Sequence, residues 1–155
     1  MQIFEFGPRR RVVNRQGQEI EVSQFALHVQ CRWRMLHRSK ILFGGDDLDY
    51  PADETMSLDD FDWDTHESAL DVKRRRWFAE HYDLPVHVVS VSGDDCGGFR
   101  IMLERGFALE AFPCDSRRGE YSEHWRLLGH RPDDSHFVVT GYGVEGEDRQ
   151  SASDG

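Results

Sequence analysis

Apolar residues recur at every second position over much of this chain, which is the pattern of strands that turn one face to a core. Ile3, Phe4 and Phe6 precede the breaker Gly7-Pro8. Val12 and Val13 lead into the turn-forming run Asn14-Arg15-Gln16-Gly17, and Ile20 and Val22 follow with period two. The sharpest alternation of the first half runs from Phe25 to Arg32. It sets Phe25, Leu27, Val29 and Cys31 on one face and Ala26, His28, Gln30 and Arg32 on the other, with residues 33–36 read as its continuation. Ile41, Leu42 and Phe43 form a short apolar strand ended by Gly44-Gly45.

The period changes once. Leu70, Trp77, Phe78 and His81 fall on one side at helical spacing, so a helix is predicted over 65–82. Asp64 with Glu67 three residues on resembles a capping box, and Leu84-Pro85 supplies the stop. After Pro85 the alternation of two returns. A strand at 86–92 is followed by a turn at 93–98. Phe99, Ile101 and Leu103 then alternate with Arg100, Met102 and Glu104 up to the tight turn Arg105-Gly106, and Phe107, Leu109 and Ala111 alternate with Ala108, Glu110 and Phe112 beyond it. A loop from Pro113 to Tyr121 precedes two further apolar runs, 125–128 and 137–139. Short connections join antiparallel neighbours, so residues 86–140 read as one meander with Phe99, Ile101, Leu103, Phe107, Leu109, Trp125 and Leu127 in its core. The expected fold class is α+β: a mainly antiparallel sheet, able to curl into a roll or sandwich, with one packed helix. Residues 1–145 read as a single β-rich domain and residues 146–155 as a disordered acidic tail.

A chain of 155 residues can bury a real core. It contains no apolar run long enough to span a membrane. Basic residues follow the apolar ones at the N-terminus, the reverse of a secretory signal, so a cytoplasmic location is expected. Cys31, Cys96 and Cys114 are odd in number and widely spaced, which suits reduced thiols rather than a disulfide framework.

Charge alters this picture more than composition does. The net charge is −10, yet residues 44–64 hold nine acids and no base while residues 1–43 carry a net +5. Acidity collected in one segment argues against nucleic acid as a partner and suits a basic protein. Asp46, Asp47, Asp59, Asp60, Phe61, Asp62 and Trp63 are the candidate binding residues there, with Tyr50, Phe61 and Trp63 as apolar anchors. Those aromatics could instead pin the loop to the sheet. Asp60, Asp62 and Asp64 imitate the start of a calcium loop, but Thr65 stands where glycine is needed and Asp71 where a longer Glu is needed. No pair of Cys or His sits at ligand spacing, so neither metal nor cofactor is expected. The run Lys73 to Arg76 points around most of a helix circumference and reads as a solvated face paired with the acidic loop.

Two polar groups could carry chemistry. His28 and Gln30 share a strand face, and Glu123 and His124 are adjacent. Neighbours on a strand face opposite sides, so the latter two are not expected to meet. A small-molecule or metal-dependent enzyme using His28, Glu123 and His124 is the alternative to a binding protein. No nucleophile elbow, phosphate loop or dinucleotide fingerprint is present.

Four segments in order carry a resemblance: Ala26-Leu27-His28-Val29-Gln30-Cys31-Arg32-Trp33-Arg34, Gly97-Gly98-Phe99-Arg100, Glu123-His124-Trp125-Arg126-Leu127 and His136-Phe137-Val138-Val139. Together they resemble a family of small, uncharacterised bacterial proteins across residues 25–140, although the family tends to have Pro where this chain has Arg32. The resemblance implies a bacterial cytosolic protein and brings no catalytic residue with it. Some similar small bacterial domains act as immunity proteins beside secreted toxins. The reading is therefore a non-enzymatic binding protein, in its most concrete form an immunity-type protein with a basic partner; no oligomeric state follows from the sequence.

Overall fold

The alternation of two becomes strand wherever a neighbour completes the backbone hydrogen bonding. The computed structural model describes residues 1–14, 16–119, 122–129 and 136–145. Along the chain these form β1 (Gln2–Phe6), β2 (Arg10–Val13), β3 (Glu19–Val22), β4 (Phe25–Val29), β5 (Arg32–His37), β6 (Lys40–Gly44), α1 (Ala69–His81), β7 (Val88–Gly93), β8 (Phe99–Leu103), β9 (Phe107–Phe112), β10 (Glu123–Gly129), β11 (Phe137–Thr140) and β12 (Gly143–Val144). Strand pairings among the described residues are antiparallel, and α1 is the one α-helix among them, so the fold is α+β and mainly antiparallel β. No helix among the described residues is long and apolar enough to cross a membrane.

The chain divides into two compact units, Met1–Cys31 with Pro113–Gly155, and Arg32–Phe112. Residues 146–155, read above as a disordered tail, lie outside the described residues. The first unit holds a sheet of order β1-β4-β10-β11-β12 and a separate β2–β3 hairpin. The Asn14 side chain builds the hairpin turn by accepting the N–H groups of Gln16 and Gln18, each at 2.9 Å. Leu27, Val29, Val138 and Val139 are buried in this unit.

The second unit holds a sheet of order β6-β5-β9-β8-β7 with α1 packed on it. Trp33, Met35, Ile101, Leu103, Phe107, Leu109 and Ala111 are buried. Register pairs Trp33 with Ala111, Met35 with Leu109, and Leu109 with Ile101, so these side chains form rows on one face. Trp77 of α1 meets that face through Phe43 and Phe107, whose ring centroids lie 6.5 and 5.6 Å away. On the opposite face Glu110 lies between its register partners Arg34 and Arg100, pairing with them at 2.6 and 2.9 Å. The turn from β8 to β9 places Arg105 and Gly106 at φ 60° and 80°, a left-handed pair that explains the glycine.

Several expectations need correction. Residues 33–36 do not extend β4: the chain leaves β4 after Val29, and β5 belongs to the other sheet. The N–H groups of Gln30 and Cys31 both go to the His124 carbonyl, which ends the β4 ladder there. The helix begins at Ala69, not Thr65, because Ser68 is its cap; its hydroxyl accepts the Asp71 N–H. The meander covers β7, β8 and β9 and stops at Phe112; β10 pairs instead with β4 and β11. Of the predicted core, Ile101, Leu103, Phe107 and Leu109 are buried and Phe99 is half-buried, but Trp125 is only half-buried and Leu127 is 38% exposed. Phe25 is exposed as well, while Ala26 and Ala108, on the faces opposite the expected core, are buried. Alanine is small enough to disappear beneath the longer side chains around it.

Candidate functional site

The acidic segment starts where β6 runs out. A side chain at Gly44 would come within 2.8 Å of the Trp33 carbonyl, so glycine lets the chain turn off the sheet edge at this point. Residues Gly45–Asp49 then make a 3-10 turn. Asp47 fastens it in two directions, accepting the Gly44 N–H at 2.8 Å and the Lys73 ammonium at 2.8 Å. Asp46 lies 3.7 Å from the Arg32 guanidinium, with both side chains exposed. The segment closes at its neck. Pro51 bridges to Ser68, the Ala52 N–H donates to the Glu67 carbonyl and the Ala69 N–H to the Tyr50 carbonyl, each at 2.8 Å.

The part beyond the neck is organised by its own side chains. Thr55 donates its hydroxyl and N–H to Asp53, holding that carboxyl below its usual range. Ser57 caps a short 3-10 turn, Leu58–Asp60. Asp62 accepts the Asp64 N–H, and its own N–H donates to the His66 ring, on which Phe61 stacks at 6.3 Å. Among the described residues, the carboxylates of Asp59, Asp60 and Asp64 carry no side-chain partner. The acids therefore fall into two sets. Asp46 and Asp47 answer basic side chains of their own unit, whereas Asp59, Asp60 and Asp64 face solvent.

Several apolar residues of the segment are left largely open to solvent. Tyr50 is 52% exposed, Leu58 58% and Trp63 62%; Phe61 packs locally on His66. The loop is held by the Pro51–Ser68 bridge, main-chain hydrogen bonds and ion pairs. Of the basic run of α1, Lys73 pairs with Asp47 of the segment, whereas Arg75 pairs with Glu67 and Arg74 with Asp71, both beyond it.

Between the loop and α1 lies a cleft of about 500 Å³. Pro51, Met56, Leu58 and Val72 give it an apolar lining, with Glu54 and Arg76 as charged walls. Sequence reasoning missed Glu54, Val72 and Arg76. The available signal was opposite charge, nine acids facing a run of four bases, but the cleft depends on where the loop neck meets the helix.

No protein-family model matches the chain, and no curated protein and no solved structure was found to match it.

The polar candidates of the first unit separate into two environments. Glu123 receives the Arg126 Nε–H at 2.7 Å and a second bond from the same guanidinium, and Gln30 also hydrogen-bonds it. Arg126 above all holds its carboxyl below the usual range, with Gln30 and the nearby His28 adding to the effect and burial opposing it. A β-bulge makes this possible. Glu123 pairs with Thr140 and Trp125 with Val139, leaving His124 as an extra residue. Residues three apart, which normally face opposite sides, thereby share one. His28 is the register partner of Arg126, so Glu123, Arg126, His28 and Gln30 form one polar group. His124 is buried instead, and its Nε2–H donates to the Asp115 carbonyl at 3.1 Å. Among the described residues no three His, Cys, Asp or Glu side chains are placed to hold a metal ion.

Proposed function

We propose that this protein is a non-enzymatic binding protein whose acidic loop engages a basic protein partner, most concretely as an immunity-type protein that blocks a basic toxin. One observation carries the reading. Leu58 and Trp63 stand more than half exposed in the stretch that holds the unpaired Asp59, Asp60 and Asp64, and Tyr50 is also more than half exposed beside Asp46 and Asp47. A loop that only connects two elements would turn such side chains inward. Exposed aromatics ringed by charge are instead the composition of a binding hot spot with a polar rim. The unpaired acids add long-range attraction for a positively charged surface. The immunity form adds an analogy: residues 25–140 resemble a family of small uncharacterised bacterial proteins, and some similar small bacterial domains are immunity proteins.

The test uses two variants, Asp59→Asn/Asp60→Asn/Asp64→Asn and Trp63→Ala. Basic proteins retained by the immobilised wild type are identified and their association is measured at several salt concentrations. The charge variant should lower the on-rate and flatten its salt dependence, and Trp63→Ala should mainly speed dissociation. Retention that neither variant changes, in proteins that remain folded, would refute the loop as the interface.

A further inference from the structure

We infer that the cleft between the acidic loop and α1 receives one apolar side chain of the partner, flanked in sequence by a Lys or Arg that pairs with Glu54. This rests on the reading above and names the anchor that reading lacks. The cleft encloses about 500 Å³, ample for a Leu- or Met-sized side chain. Its walls are Pro51, Met56, Leu58 and Val72, and Met adapts readily to the shape of an occupant. Leu58 lines the cleft yet is 58% exposed, so an incoming side chain has apolar surface to cover.

The charges define the flanks. Lys73 lines the cleft but is already neutralised by Asp47 at 2.8 Å. Glu54 has no ion-pair partner among the described residues, so it is the group left to meet a cation. Arg76 likewise has none and offers guanidinium donors to main-chain carbonyls beside the anchor. An apolar residue next to a base fills the apolar part of the lining and gives Glu54 a counter-charge, which agrees with a basic partner.

The experiment uses the full chain and two defined probes, acetyl-Gly-Arg-Leu-Arg-Gly-amide and its analogue with Ala in place of Leu, followed by amide NMR titration. The Leu peptide should shift residues lining the cleft and bind about tenfold or more tightly than the Ala peptide. Val72→Trp should abolish that preference by filling the space. Glu54→Lys, a surface change that leaves the fold intact, should weaken the Leu peptide by about three- to fivefold. Equal binding of the two peptides, or shifts confined to residues 59–64, overturns the cleft while leaving the loop as interface. No shift at millimolar peptide also overturns it, and the loop then stands or falls by the association measurements on its own variants.

Discussion

Glu123 owes its surroundings to one extra residue. Without the bulge at His124 its carboxylate would lie across the sheet from Arg126; with it, the two share a side and Gln30 joins them. Because Arg126 holds the carboxyl below its ordinary value, the folded chain binds this proton more weakly than the unfolded chain does. The resulting stabilisation is complete above the usual carboxylate range and is lost as pH falls through the depressed folded value. Glu123→Gln should therefore cost about 1 kcal/mol near neutral pH, a figure discounted for the partial exposure of Arg126. Urea unfolding of both proteins across the acid range should show that difference shrinking once Glu123 is protonated in the folded state. A difference that stays constant down to the acid limit would mean that the ion pair contributes nothing.

The helix and the strands differ in what holds them. In α1 only Leu70 is buried, so the element depends on its cap, on Trp77 and on ion pairs rather than on a broad apolar stripe. Ser68→Ala removes the hydroxyl that accepts the Asp71 N–H and should cost about 1 kcal/mol, whereas Asp64→Ala should stay within about 0.5 kcal/mol. Thermal melts of the two variants check where the helix starts. Strand β9 is the opposite case. Leu109 is 1% exposed in the middle of its sheet, and Leu109→Ala should cost about 2–5 kcal/mol. Leu127→Ala should cost about 1 kcal/mol or less, since 38% of that residue already meets solvent. Chemical denaturation of the pair tests whether the core lies in β9 rather than β10.

For the molecule as a whole, the net charge of −10 is less of a burden than its size suggests, because part of it is answered internally. Asp46 and Asp47 meet Arg32 and Lys73, and Glu67 meets Arg75. Self-repulsion is left to the outer loop. Replacing Asp59, Asp60 and Asp64 by Asn should thus leave stability unchanged or raise it slightly at low salt, by up to about 1 kcal/mol, with the gain fading as salt is added. Asp47→Asn should act in the other direction, because it weakens both the lysine pair and the bond from Gly44. Melting temperatures at two ionic strengths separate the two sets of acids.

Local pattern was enough for the antiparallel α+β class, the buried Ile101, Leu103, Phe107 and Leu109, the turn at Arg105-Gly106 and the one α-helix among the described residues. These features depend on alternation, turn chemistry and spacing within a few residues. The sequence also singled out the acidic segment, because charge is read without knowing the fold. Strand partners lay beyond it: β4 and β5 are adjacent in sequence yet join different sheets, and β10 pairs with β4 across most of the chain. Pairing is long-range, and a period of two does not say which neighbour a strand will take. The bulge that turns Glu123 toward Arg126 and the burial of His124 follow from that same choice. Whether Tyr50, Leu58 and Trp63 face the sheet or the solvent was equally undetermined, since either placement fits their sequence. Tertiary structure decided it by closing the loop at Pro51 and Ser68, which holds the segment through its neck and leaves those side chains outside.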